Sequence, residues 1–278
     1  MRVGMILPRV NVGGAPLTAD FFVSASERIE RFGFHSAWIT DSIGRGFANP
    51  EPLSSLVLAG SRTTELDLGI SILQVSIRNP VDLAHRIMTA HLILGDRLLL
   101  GVGAGSTPAD FLATGFDFET RFKRFSQDLR TIRRLLAGEQ VGDANLTPFV
   151  STIGGPPVLI GSWGGGIWIP KAAEEFDGWI GSARKTNWET LELGMSRYRE
   201  AGGRRAIVTN VVVDPSLTDV PDTEDGELVP CGLGVFAERM RRFRDLGFDE
   251  VVIRAPDHTD EHFSTVVDVV KTVTEMRS

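Results

Sequence analysis

The sequence predicts an α/β protein folded as a (β/α)8 TIM barrel, and three observations predict it. Apolar runs of strand length alternate with helix-period stretches along the whole 278 residues. The strand-like runs are continuously apolar rather than alternating in polarity, as parallel strands covered on both faces must be. Eight β/α units also fit a chain of this length. An open doubly wound sheet is the alternative arrangement of the same units. No linker or composition break marks a second domain, so residues 1–278 are expected to form one domain.

The elements follow in order. Val3–Leu7 is a buried first strand. Ala19–Phe32 places Phe21, Phe22, Ala25 and Ile29 on one helical face. Ala37–Thr40 is the second strand, a helix lies near Pro52–Ser61, and Leu66–Leu73 is the third strand. Asn79 caps the next helix, Pro80 suits its first turn and Asp82 favours its positive end. Leu83, Ala84, Ile87, Met88, His91 and Leu92 form its stripe, and Leu98–Val102 is the fourth strand. A helix is expected over Phe118–Leu136. Strands then fall at Pro157–Ile160, Gly178–Ile180, Ala206–Val213 and Glu250–Arg254, with helices near Trp168–Phe176, Trp188–Ala201 and Gly234–Leu246. A last helix runs near Asp260–Met276, and the Pro- and Asp-rich segment Asp214–Pro230 is one long loop.

Composition excludes several partners. The net charge of −7 argues against a nucleic-acid backbone. No apolar run approaches the ~20 residues that span a bilayer. Cys231, the single cysteine, excludes an internal disulfide and a cysteine-rich metal site. A cytoplasmic protein acting on a small molecule is expected, with neither nucleic acid nor membrane as partner.

In a barrel of this kind the chemistry sits at the C-terminal ends of the strands. After the fourth strand comes GVGAG, Gly101 to Gly105. After the fifth comes GSWGGG, Gly161 to Gly166, opening the helix near Trp168. Glycines there let backbone approach a ligand, and a Gly-rich turn at a helix start offers N–H groups to a phosphate. Together they suggest a flat ligand carrying an anionic group, although each turn alone is also what a tight βα connection needs. Asp41, after the second strand, is a candidate hydrogen-bonding or catalytic group; capping the next turn is its plainer role. Trp163 and Trp168 either wall a pocket or pack. His85 and His91 are six apart, a poor spacing for a metal, and His91 falls on the apolar stripe. His258 and His262 are four apart at an acid-rich helix start, where helix capping explains them better than zinc does. No metal site is expected.

The stretch Arg78–Gly105 resembles the luciferase-like monooxygenase family: a capped Leu-rich helix, then Gly-Asp-Arg-Leu-Leu-Leu-Gly-Val-Gly-Ala-Gly. Gly33-Phe34-His35-Ser36-Ala37-Trp38, Leu68-Gly69-Ile70-Ser71-Ile72, Gly115-Phe116 through Arg121, and Pro157-Val158-Leu159-Ile160-Gly161 with Asp177-Gly178-Trp179-Ile180 are similar to its segments in the same order. The resemblance implies a bacterial luciferase-like (β/α)8 barrel that binds coenzyme F420 or FMN. It implies that Asp41, Ser42, Ser71, Ile72, Gly103, Ala104 and Gly105 line the ring, and that Gly161, Ser162, Trp163, Gly164 and Gly165 surround the phosphate. It also implies a cis peptide bond between Ser71 and Ile72, and a homodimer. The sequence departs from the family pattern at Ser42, where a histidine is usual, and at Ser106 and Asp110, in the places of a tryptophan and a glutamate.

The expected function is therefore oxidoreductase chemistry, with the cofactor supplying the hydride chemistry and the protein binding and orientation. F420 is favoured by Arg45, Arg184 and Lys185, which can meet its anionic tail. The alternatives are a non-catalytic flavin- or deazaflavin-binding protein and a barrel hydrolase.

Overall fold

The computed structural model describes residues 1–8, 17–223, 225–256 and 259–277. Eight parallel strands close a barrel in chain order: β1 (Arg2–Ile6), β2 (Ser36–Ile39), β3 (Asp67–Gln74), β4 (Leu98–Gly103), β5 (Val158–Gly161), β6 (Gly178–Ser182), β7 (Ala206–Val212) and β8 (Glu250–Arg254). The helices are α1 (Ala19–Arg31), α2 (Pro52–Gly60), α3 (Pro80–Leu94), α4 (Pro108–Thr114), α5 (Arg121–Leu136), α6 (Trp168–Glu175), α7 (Trp188–Glu200), α8 (Leu233–Asp245) and α9 (Asp260–Lys271). The closed barrel is the fold expected from the alternation, and the doubly wound alternative is set aside.

By its contacts the chain divides into two compact units, Met1–Trp38 with Leu159–Ser278, and Ile39–Val158. In the first, β1 pairs with β2 through Gly4↔Ser36 and with β8 through Gly4↔Val252. Glu250 reaches over Gly4, which lacks a side chain, to accept from Ser36 Oγ and from Trp38 Nε1 at 3.0 Å. A side chain that crosses one strand to meet the next lies on the concave face, so Glu250 fills the bottom of the barrel. The helical layer of this unit packs aromatic rings. Trp179 stacks near Tyr198 and Phe248 at 5.8 and 5.6 Å, and Trp188 near Phe243 at 4.9 Å. Such contacts add about 0.5–1.5 kcal/mol each beyond area burial.

In the second unit β3 pairs with β4, and the register slips between Ile70 and Leu73. The peptide bond between Ser71 and Ile72 is cis, as the family resemblance implied. Asn79 caps α3, its Oδ1 accepting from Val81 N at 2.9 Å. The helix expected over Phe118–Leu136 begins only at Arg121, and the short α4 precedes it. Phe116 and Phe118 lie outside any helix: Phe118 takes the Arg121 guanidinium on its face at 3.8 Å and Phe116 that of Arg124 at 4.4 Å.

Candidate functional site

At the strand ends of the second unit, charges are paired off. The Asp41 carboxylate is almost completely buried and grips Arg78 with both oxygens, Oδ2 to Nη1 at 2.7 Å and Oδ1 to Nη2 at 2.9 Å. Oδ2 also accepts from the Gln74 backbone N–H at 2.9 Å. The two-pronged geometry is that of the strong Arg–carboxylate pair. Asp41 thus ties the loop after β2 to the end of β3, and among the described residues no bond of its side chain caps the next turn. The Gln74 side-chain amide donates to the Asp41 carbonyl at 3.3 Å and to Asp110 Oδ2 at 2.9 Å. Asp110, fully buried at the start of α4, also accepts from Ile43 N at 3.0 Å and from Arg45 Nε at 2.9 Å. Arg45 is therefore engaged by Asp110 rather than free on the rim. Two arginines and two aspartates linked by one glutamine make a neutral network.

The other residues expected to face the ring lie on β3, at the end of β4 and just after it. Ser71 is buried and Ile72 half-buried on β3; Gly103 ends β4, with Ala104 and Gly105 half-buried after it. Gly105 has φ +86°, and a Cβ there would lie 2.7 Å from Gln74 Oε1 and 3.0 Å from the Phe111 ring. Both constraints select glycine. Among the described residues, the buried polar atoms Thr40 Oγ1, Ser42 Oγ, Asn49 Oδ1 and Gln74 Oε1 find no hydrogen-bond partner here. Buried polar groups are rarely left so. Those at the ends of β2 and β3 fit a surface completed by polar ligand atoms.

In the first unit the turn after β5 is held from several sides. Trp179 Nε1 donates to the Ser162 carbonyl at 2.8 Å, and Ser162 Oγ to the Trp163 carbonyl at 3.2 Å. Trp163 is exposed, with Nε1 donating to the Arg184 carbonyl at 3.4 Å, so it covers the turn after β6 as well as its own. Gly161 is half-buried at the end of β5. The four glycines play different parts. Gly164 is buried, and a Cβ there would overlap the Thr190 carbonyl oxygen of α7. Gly166 would strike Ser162 Oγ, whereas Gly165 has open space around it. The N–H groups of Gly164 and Gly165 make no hydrogen bond among the described residues. They precede α6 and its positive end, the arrangement that receives an anion. After β6, Arg184 and Lys185 are exposed and make no ion pair among the described residues; Lys185 has φ +55°.

His91 has the character expected of a packing residue: burial lowers its pKa, with Asp96 opposing. His258 lies outside the described residues, and no group of metal-ligating side chains occurs among those described. Cys231 is buried, its thiol pushed up to about 11 by burial. Sequence reasoning passed over Gln74 and Arg78. The available signal was two long polar side chains at the close of an apolar strand, four residues apart and just before the Asn79 cap.

These features define a (β/α)8 barrel with glycine-closed strand ends, a neutral polar network after β2 and β3, and a turn before α6 whose N–H groups make no hydrogen bond among the described residues. The model of the luciferase-like monooxygenase family matches residues 1–218, and the chain belongs to that family. Among curated relatives, the 4-hydroxyprotoasukamycin monooxygenase of Streptomyces nodosus subsp. asukaensis is 29% identical over 41% of this chain and 31% of its own. The F420-dependent glucose-6-phosphate dehydrogenase of Mycolicibacterium gilvum is 31% identical over 63% of this chain and 57% of its own. The chain thus spans about a third to somewhat over half of the length of these two proteins. The oxygenating constituent of the 3,6-diketocamphane monooxygenase from Pseudomonas putida, solved with FMN, shares the fold at TM-score 0.77 with 14% identity, over 100% of both chains.

Proposed function

We propose that this protein is an oxidoreductase that holds coenzyme F420 or FMN at the C-terminal strand ends and acts on a small organic substrate. The observation that carries the reading is the turn Gly164–Gly165, whose N–H groups are unspent at the opening of α6. It supports a phosphate there, with Gly161, Ser162 and Trp163 shaping the turn. The polar atoms left over at Thr40, Ser42 and Gln74, with Ser71, Ile72, Gly103, Ala104 and Gly105, support contact with the ring. When bound, the cofactor supplies the hydride chemistry; the chain binds, orients and shields it from water. Asp41 acts in this reading by holding Arg78 and the end of β3 in place.

Within the reading, F420 is the cofactor, because Arg184 and Lys185 remain uncommitted cations for its anionic tail while Arg45 does not. Fluorescence titration of the protein with F420 and with FMN tests both levels. F420 is expected to bind more tightly, and an Arg184→Gln/Lys185→Gln double variant to lose several-fold affinity for F420 with little change for FMN. Tighter FMN binding overturns the choice of F420 alone; binding of neither overturns the oxidoreductase reading. The protein is also proposed to act as a homodimer, and sedimentation equilibrium at micromolar concentration should give twice the chain mass.

A further inference from the structure

Arg254 is the last residue of β8. Glu250, Val252 and Arg254 alternate onto one face of the strand. That face is concave, because Glu250 uses it to reach Ser36 and Trp38 across Gly4. Glu250 therefore closes the bottom of the barrel, and Arg254 stands on the same face at the C-terminal end, where barrels do their chemistry.

The two residues are treated oppositely. Glu250 is countered by Arg2 at 3.4 Å and Arg205 at 3.7 Å. Arg254 is half-buried, yet its guanidinium makes no hydrogen bond, ion pair or ring contact among the described residues. Other arginines drawn away from water are engaged. Arg78 holds Asp41, Arg239 holds Asp222, and Arg97 donates to the carbonyls of Thr63 and Gly60. Burial lowers the pKa of Arg254, and no charged neighbour among the described residues opposes it. A cation withdrawn from water without a counter-charge is a cost to the free protein. Such costs gather where a ligand repays them.

The neighbouring strand gives a second, independent indication. β7 pairs with β8 through Val211↔Ile253 and Val212↔Arg254, but its register shifts between Val208 and Val211. Inside that irregularity Asn210 is left-handed, with φ +61°. Bulges of this kind are over-represented beside active sites, where they re-aim side chains.

We propose that Arg254 is a substrate-recognition residue that pairs with a carboxylate, so that the substrate of this enzyme is a small carboxylic acid. The planar fork of the guanidinium matches a carboxylate with two parallel hydrogen bonds. A single unopposed cation balances one negative charge, which suits a monoanionic acid better than a phosphate dianion. The word substrate rests on the oxidoreductase reading above; the binding of a carboxylate does not, and it is measured without cofactor.

The test is calorimetric titration of the protein with benzoate and with inorganic phosphate, beside melting curves of the unliganded variants. Benzoate is expected to bind the wild type more tightly than phosphate does. Arg254→Gln and Arg254→Met should weaken benzoate at least tenfold, and Arg254→Lys by less, because it keeps the charge but not the fork. Unliganded Arg254→Met should melt at or above the wild-type temperature, since it removes an uncompensated cation; a structural arginine would lower it. Unchanged benzoate affinity in Arg254→Met, or a lowered melting temperature in the free protein, overturns the proposal. Phosphate bound more tightly than benzoate overturns the choice of a carboxylic acid. Failure of F420 and FMN to bind leaves these outcomes readable and removes only the oxidoreductase frame.

Discussion

The two units handle charge at their strand ends in opposite ways. In Ile39–Val158, Arg78 is gripped by Asp41 and Arg45 by Asp110, and the Gln74 amide joins the pairs. In the other unit, Arg184, Lys185 and Arg254 have no carboxylate partner among the described residues. A paired charge is spent on holding loops in place. An unpaired one is available to a ligand, and the free protein carries its cost when it is buried. The contrast separates scaffold from recognition without reference to any bound molecule. It also predicts which substitutions will damage the fold and which only binding.

The largest expected effect comes from breaking a scaffold pair. Asp41→Ala leaves the half-buried Arg78 with only the Gln74 carbonyl, at 2.9 Å, as a partner, so the loss should approach the lower end of the about 3–5 kcal/mol that a buried pair costs when one member goes. Urea unfolding should show that loss, and Arg78→Met combined with Asp41→Leu should recover much of it. A loss below about 1 kcal/mol would place the pair in effectively aqueous surroundings and erase the contrast. Any loss of turnover in Asp41→Ala has to be judged against this destabilisation.

Next in size is the glycine turn, where neighbouring residues should behave differently. Gly164→Ala forces a methyl group into the Thr190 carbonyl of α7, and overpacking of this kind costs about 1–3 kcal/mol. Gly165→Ala points into open space and should stay within about 0.5 kcal/mol of wild type. A bulkier Gly165→Val should weaken cofactor binding while the melting temperature holds. Equal destabilisation at both positions would mean that the turn is wholly structural.

Much of this architecture was legible in the sequence. A short apolar run such as Leu98–Val102, bounded by glycines, reads as a strand covered on both sides, and Asn79-Pro80 marks the start of α3 through a local hydrogen bond. The cis bond at Ser71–Ile72 came from family resemblance alone; an apolar β-rich run carries no local sign of it. Helix α4 was missed because its seven residues are too few to establish a period, and Leu112 is exposed on it. The apolar pattern extends α5 back to Phe118, but Phe118 and Phe116 lie before the helix and serve as faces for arginines. Candidates such as Asp41 and Gly105 could be named from strand ends. Their partners could not, because pairing Asp41 with Arg78 depends on the relative placement of two segments distant in sequence. Arg254 was read as the end of a strand; a charge closing an otherwise apolar run was the signal available.

The smallest expected effect lies in the second unit, away from its strand ends. His91 is buried on α3 with Asp96 near enough to favour its charged form slightly, and its Nδ1 has no hydrogen-bond partner among the described residues. Burial disfavours the imidazolium, so the folded pKa lies below 6.5, the ordinary value that the unfolded chain keeps. Between the two values the unfolded chain binds more protons, so stability rises with pH across that window and is flat above it. On acidification the contribution is lost progressively as the pH falls from about 6.5 towards the folded pKa. His91→Leu removes both the titration and an unsatisfied buried nitrogen, while keeping an apolar side chain of similar reach. The difference in unfolding free energy between wild type and this variant cancels every other titrating group. That difference should be small and constant above neutrality and should turn further in favour of the variant below about pH 6.5. A difference that stays constant down to pH 5 would mean that His91 takes up its proton equally in both states, and that its surroundings are wetter than those of the paired arginines.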